Sequence, residues 1–182
     1  MEIRKLLIEK KGTILDKWID QALSTYPVEG SKIFKSRKDQ FANPVGFAVK
    51  SGLSNLYKVF CGEMEIGRVP EILEYLIKIR SVQDFAPSEA VKFIFTLKRI
   101  AIEEYKQEKK KDPEIEDLLA FEEGIEKTAL MVFDLYMISR EKLNRVRLNE
   151  FTTGRHIVTD SKCPTSIVSL SLRKEKEISS GN

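Results

Sequence analysis

The sequence predicts an all-α fold, a single-domain helical bundle that ends in a long C-terminal helix. Apolar residues recur at steps of three and four along most of the 182-residue chain, which is the spacing of one buried helix face. Several of these repeats begin beside a proline, a residue that favours the first turn of a helix. The few apolar residues between 167 and 172 are too isolated to build a sheet.

The first predicted helix extends from the N-terminus to about residue 24. Its apolar face consists of Ile3, Leu6, Leu7, Ile14, Leu15, Trp18, Ile19, Ala22 and Leu23. Gly12 lowers the helix propensity in the middle, so two shorter helices remain an alternative. Pro27 and Gly30 end this element, and residues 26–43 are predicted to form a polar connection.

Asn43 and Pro44 predict the start of the second helix, because asparagine caps a helix N-terminus and proline suits the first helical position. This helix is expected to extend to Phe60. Gly46 and Gly52 lie within it and lower its helix propensity. Either these glycines allow another element to approach closely, or they are merely tolerated.

The third helix opens at Pro70 and carries apolar residues as far as Ile79, and the fourth extends from about Pro87 to Lys109. The inward face of the fourth is predicted to contain Ala90, Phe93, Ile94, Leu97, Ile100, Ala101 and Tyr105. These two helices are joined by a tight corner that is dense in polar groups. Such a corner is an architectural feature and not a catalytic signature.

The last and longest helix is predicted to begin at Asp112-Pro113 and to reach about Phe151. From residue 128 to residue 139 its only charge is Asp134, so the helix is apolar almost all round in its middle. Such a helix must be covered on several sides, by its own domain or by a second copy of the chain. Ala129, Val132, Phe133 and Tyr136 lie on one side of this segment, and Leu130, Met131 and Met137 lie elsewhere around it.

Composition argues against several classes of protein. The formal net charge of +3 is too small for a nucleic-acid-binding surface. No stretch reaches the roughly 18 apolar residues of a membrane span, and the N-terminus lacks the apolar core of a secretory signal. Cys61 and Cys163 lack metal-ligand spacing, and we expect both to be reduced cysteines of a cytoplasmic protein.

The sequence also lacks the usual motifs of enzymes and cofactor sites. It contains no glycine-rich phosphate loop, no Gly-x-Ser-x-Gly elbow and no Cys-x-x-Cys pair. The single histidine, His156, lies in the C-terminal tail, so a histidine-based triad and globin-type haem ligation are both disfavoured. We therefore expect a non-enzymatic protein without a metal or cofactor.

The candidate ligand or interaction residues lie at the corner and on the last helix: Arg80, Gln83, Asp84, Arg99, Asp134 and Tyr136. Asp134 has apolar neighbours, and a buried carboxylate needs a partner. An ion pair with Arg99 or Arg80 is the expected arrangement, a solvent-facing or functional acid being the alternatives. Asp84 is expected either to pair with Arg80 or to cap the following helix.

The large aromatic side chains are expected to fill the core rather than to form a ligand-binding box. They are Trp18, Tyr57, Phe93, Phe95, Phe133 and Tyr136. A helical core built from so many rings can still leave a cavity between helices, where small ligands bind in helical bundles.

Several short motifs resemble the N-terminal domain of RsbRD-type co-antagonist proteins, regulators of the bacterial stressosome. The motifs are Ile14–Trp18, Tyr26-Pro27, Asn43–Gly46, Ile79–Val91, Phe133–Lys142 and Asn149-Glu150. The resemblance implies an all-helical sensor domain, related to non-haem globin-like sensors, whose long final helix connects to a STAS output domain. This chain is expected to contain a domain at residues 1–151 and a flexible tail at 152–182, with no room for a STAS domain.

From these features we predict a regulatory domain that dimerises through its helices and signals to another protein. The alternative is a sensor that holds a small apolar or anionic molecule between its helices.

Overall fold

The computed structural model describes residues 2–26, 34, 42–83 and 85–153. Over these residues the chain forms seven α-helices, one 3-10 turn and no strand, so the all-α prediction is confirmed. The elements are α1 (Glu2–Glu9), α2 (Lys11–Ser24), α3 (Pro44–Phe60), the 3-10 turn (Ile66–Arg68), α4 (Val69–Val82), α5 (Pro87–Val91), α6 (Phe93–Lys109) and α7 (Ile115–Thr153). Most of the predicted connection at 26–43, and the predicted tail from residue 154 onward, lie outside the described residues.

Two of the five predicted helices are interrupted. The first divides at Lys10, whose φ of −104° and ψ of 23° are not helical, so the alternative of two shorter helices is the correct one. The fourth divides at Lys92 into α5 and α6. The last helix is confirmed as a long one, and it begins at Ile115, two residues beyond Pro113.

The predicted N-cap of α3 is present. The side-chain Oδ1 of Asn43 accepts a hydrogen bond of 2.8 Å from the backbone N–H of Gly46, and its Nδ2 donates one of 2.8 Å to the carbonyl of Phe34. A Cβ at Gly46 would lie 2.5 Å from that carbonyl oxygen, and one at Gly52 would lie 3.3 Å from Cδ2 of Leu73 in α4. Both glycines therefore allow the close approach that was one of the two alternatives.

The core lies where α2, α3, α4 and α6 pack together. Trp18 is fully buried and donates a hydrogen bond of 2.7 Å from Nε1 to the carbonyl of Phe93. Tyr57, also fully buried, donates one of 2.7 Å to the carbonyl of Leu7. The predicted inward face of the fourth helix is buried at every position. The prediction fails for two aromatic residues, since Phe95 is 46% and Phe133 38% exposed.

The chain divides into two compact units, Met1–Arg140 and Glu141–Asn182. The first contains α1 to α6, the part of α7 up to Arg140, and the core. In the second, the described residues continue α7, with an ion pair of 2.5 Å between Arg145 and Glu141. The predicted domain limit at residue 151 and the globin-like character of the bundle stay predictions. None of the described helices has the length and apolarity to cross a bilayer.

Candidate interaction site

The corner between α4 and α5 is formed by extended backbone. Helix α4 ends at Val82, and Gln83 has a ψ of 157°. Ala86 has a ψ of 146°, as expected for a residue whose α conformation is disfavoured by the following proline, Pro87. Asp84, predicted to cap α5 or to pair with Arg80, lies outside the described residues.

Arg80 is fully buried at this corner. Its Nη1 donates a hydrogen bond of 2.9 Å to the carbonyl of Ala90, whereas Nη2 lies 3.5 Å from both the Ala22 carbonyl and Oγ1 of Thr25, the outer limit of a hydrogen bond. No carboxylate among the described residues pairs with it. Desolvation accordingly lowers the pKa of this guanidinium from its ordinary value.

Within the described part of the chain, three aromatic rings surround the Arg80 guanidinium and no carboxylate does. Its Cζ lies 5.5 Å from the ring centre of Tyr26, 5.3 Å from that of Phe85 and 4.7 Å from that of Phe93. The negative ring faces attract the cation and compensate part of its lost hydration. Compensation is incomplete, because Arg80 Nε, Tyr26 Oη and Gln83 Oε1 are buried and find no hydrogen-bond partner among the described residues.

Helix α7 is attached to the corner by two hydrogen bonds. Tyr136 is fully buried, and its Oη donates a bond of 2.8 Å to the carbonyl of Phe85. One turn further along, Nη1 of Arg140 donates a bond of 3.0 Å to the carbonyl of Ser81. The Ser81 carbonyl belongs to the last turn of α4, whose carbonyl groups have no partner within the helix, and Phe85 lies in the corner beyond that turn. The two side chains thus fix the position of α7 against the carbonyl groups of the corner.

Arg80, Gln83 and Tyr136 therefore meet at the corner, but Arg99 and Asp134 do not join them. Arg99 lies on α6 and donates hydrogen bonds to Glu103 at 3.0 Å and to Gln21 at 2.5 Å. Asp134 is exposed on α7. The expected ion pair of Asp134 with Arg99 or Arg80 is wrong, because the helix presents Asp134 to solvent and leaves its charge hydrated.

The exposed side of α7 carries an apolar patch, which we define as Leu130, Phe133, Met137 and Ile138. These side chains are 67%, 38%, 44% and 50% exposed, respectively. Leu130, Phe133 and Met137 follow the spacing of three and then four residues that forms the seam of a two-helix coiled coil. The domain itself thus covers only one face of the predicted apolar segment, at Ala129, Val132 and Tyr136.

Sequence reasoning missed Arg140 and the ring residues Tyr26 and Phe85. Arg140 carried a usable signal, since it is the first basic residue after the apolar segment and follows Tyr136 by one helical turn. The ring residues carried none, because they are brought to Arg80 by the packing of three separate segments. Within the described residues, no group of three or more His, Cys, Asp or Glu side chains is placed to hold a metal ion.

Comparison with known protein families gives one match. The family model for the RsbT co-antagonist protein rsbRD N-terminal domain matches residues 12–150. No curated protein and no solved structure matches the chain.

Proposed function

Because the chain belongs to the RsbRD N-terminal domain family, a stressosome-type signalling family, we propose that it is a non-enzymatic regulatory domain acting through protein–protein contact in the cytoplasm. Its first contact is with a second copy of itself, through the apolar patch on α7. The observation that carries this proposal is the exposure of four bulky apolar side chains within nine consecutive residues of one helix.

The geometry of the patch favours a symmetric dimer. A twofold axis places the same surface of both copies face to face, so a largely apolar surface is complementary to itself. The seam spacing of Leu130, Phe133 and Met137 allows two α7 helices to pack side by side. Asp134, the only charge between residues 128 and 139, is exposed and so stays hydrated at the edge of such a pairing.

The patch is of a size that gives a weak, reversible dimer. The four exposed fractions together amount to about two fully exposed side chains, so burial in both copies contributes roughly 6–12 kcal/mol. Loss of translational and rotational freedom on association costs about 4–15 kcal/mol. The balance allows a dissociation constant in the micromolar range at best, which suits a contact that must respond to a signal.

The two hydrogen bonds at the corner connect this dimer contact to the rest of the bundle. Tyr136 lies within the span of the patch, on the buried side of the helix, and Arg140 follows it; they donate hydrogen bonds to the carbonyl groups of Phe85 and Ser81, respectively. A change in packing around Arg80 therefore alters the position of α7 directly. We propose that this helix passes the state of the bundle to a partner signalling protein.

The test is the oligomeric state of a charged variant and its matched control. Leu130→Glu places a charge in the patch, and Ile8→Glu makes the same type of change at an apolar residue of α1 that is 54% exposed. We expect wild type and Ile8→Glu to sediment as dimers at tens of micromolar, and Leu130→Glu to be monomeric with an unchanged helical content by circular dichroism. A wild-type protein that is monomeric at that concentration contradicts the dimer, and a dimeric Leu130→Glu variant contradicts the assigned interface.

A further inference from the structure

A pocket with a volume of about 230 Å³ lies between α1, the end of α3 and the first part of α7. Its walls are largely apolar, formed by Ile3, Val59, Phe60, Met64, Ile66 and Phe121. The pocket is larger than the roughly 150 Å³ engineered cavity that admits benzene, and smaller than the roughly 300 Å³ at which drug-sized sites begin. Its dimensions therefore suit a small organic molecule.

Glycine at two positions keeps this pocket open. A Cβ built on Gly124, in α7, meets nothing within 4 Å, so a side chain there would extend into the pocket space. Helix α3 ends in a Schellman motif in which Gly62 has a φ of +79° and the N–H of Glu63 donates to the carbonyl of Lys58 at 2.8 Å. This turn directs the following segment, with Met64 and Ile66, along the pocket wall.

The pocket also contains one positive charge that lacks an acidic partner. The guanidinium of Arg4 lies against Gly62, where an added Cβ would be 3.2 Å from Nη1. Its side chain forms no ion pair or hydrogen bond with any residue in the described part of the chain. Asp117 is the carboxylate at this pocket, and its Oδ2 already accepts the backbone N–H groups of Glu2 and Ile3 at the start of α1.

We infer that this pocket binds a small organic anion, a carboxylate with an aromatic or short aliphatic body. The apolar walls bury the body, and Arg4 pairs with the carboxylate, for which the planar guanidinium is the best-matched partner. Phe121 and Gly124 supply the α7 wall, so an occupied pocket fixes α7 against α1 and α3. The domain would then be a receptor as well as an interaction module.

This inference goes beyond the proposed dimer and is independent of it. Gly124 and Leu130 are six residues apart, which places them about 120° from each other around α7. Binding in the pocket and pairing through the patch can therefore be tested, and can fail, separately.

The test uses phenylacetate and its neutral analogue phenylacetamide as probes, with binding followed by methyl resonances in NMR spectra. We expect phenylacetate to shift the Ile3, Met64 and Ile66 methyl signals with a dissociation constant at or below the millimolar level, and phenylacetamide to bind more weakly. Arg4→Met should weaken the binding of phenylacetate roughly fivefold, because it removes a charge-assisted hydrogen bond whose strength solvent screening reduces at an exposed side chain. The same substitution should change the dissociation constant of phenylacetamide by no more than about twofold.

Pocket occupancy is separated from non-specific binding by Gly124→Leu. This change fills the open space and raises helix propensity, so the variant should fold and bind neither probe. Gly12→Leu makes the same change on α2, where a Cβ also meets nothing within 4 Å, and should bind as wild type does. The inference is overturned if the wild-type methyl signals stay unshifted at millimolar phenylacetate, if Gly124→Leu binds it equally well, or if the two probes bind alike.

Discussion

Replacement of Arg80 by methionine is expected to change the free energy of unfolding by no more than about 1 kcal/mol, although the residue is fully buried and charged. Methionine keeps the unbranched apolar stem that packs beside the rings of Tyr26, Phe85 and Phe93. It removes only the guanidinium. Removal of one partner from a buried ion pair is usually strongly destabilising. The expected effect is small here because aromatic rings surround the Arg80 guanidinium and no described carboxylate pairs with it.

The contributions can be assigned from the geometry. The good hydrogen bond to Ala90, of 2.9 Å, is worth about 1.5–3 kcal/mol because the donor is charged. Three rings at 4.7 to 5.5 Å add roughly 1–2 kcal/mol each, because the cation that they face is desolvated. Against these stands a desolvation penalty of several kcal/mol for the buried cation, and the unpaired Nε adds to it. The opposing terms are of similar size and nearly cancel.

The assay is urea unfolding, with Arg99→Met as the matched control. Arg99 is exposed and pairs with Glu103 at 3.0 Å, so its replacement should cost at most about 0.5 kcal/mol. A loss of about 3–5 kcal/mol for Arg80→Met would refute the reasoning, because that is the cost of leaving a buried anion without its partner. The corner would then contain a carboxylate that pairs with Arg80.

Two further predictions concern stability and reactivity. Gly46→Ala should destabilise the protein by about 2–3 kcal/mol in thermal unfolding, because the added Cβ displaces the buried Asn43 side chain from its hydrogen bonds to Gly46 and to the Phe34 carbonyl. The control, Gly12→Ala, should stabilise the protein by up to about 1 kcal/mol. Equal effects of the two substitutions would contradict the steric argument. Burial raises the pKa of the Cys61 thiol from 9.0 to about 11. The neutral thiol's contribution to the free energy of unfolding is therefore complete below pH 9 and is lost between pH 9 and 11, because over that range the thiol ionises in the unfolded chain. At pH 8 the native protein should therefore be alkylated at Cys61 at least about a hundredfold more slowly than in urea, as read by peptide mass spectrometry, and equal rates would contradict the burial.

Periodicity predicted the helical elements because burial of one face follows directly from local spacing. The sequence placed the cap at Asn43 and the start of the fourth helix at Pro87, and every residue predicted for the inward face of that helix is buried. The low helix propensity of Gly12 left a division of the first helix open, but nothing in the sequence predicted the break at Lys92. Those breaks depend on how each segment must turn to reach the core.

The candidate site was harder to predict because the burial and pairing of its residues depend on which other segments of the fold pack against them. Sequence placed Phe133 inside, yet only one face of an apolar helix meets its own domain, and the spacing cannot tell which. Asp134 was one of the carboxylates expected beside Arg80; it is exposed instead, and among the described residues three rings surround the guanidinium. Charge pairing across a fold is a property of tertiary packing, and Asp134 shows that apolar neighbours in sequence do not imply burial in space.

The chain contains a single tryptophan, and Trp18 joins α2 to α6 through its bond to the Phe93 carbonyl. Its indole also packs near Tyr57 and Phe60 from α3. The molecule thus has its single tryptophan fluorophore at the junction of three helices, shielded from water. Its emission should be blue-shifted in the native state and move to the red as soon as those helices separate, so an unlabelled sample reports the integrity of its own centre.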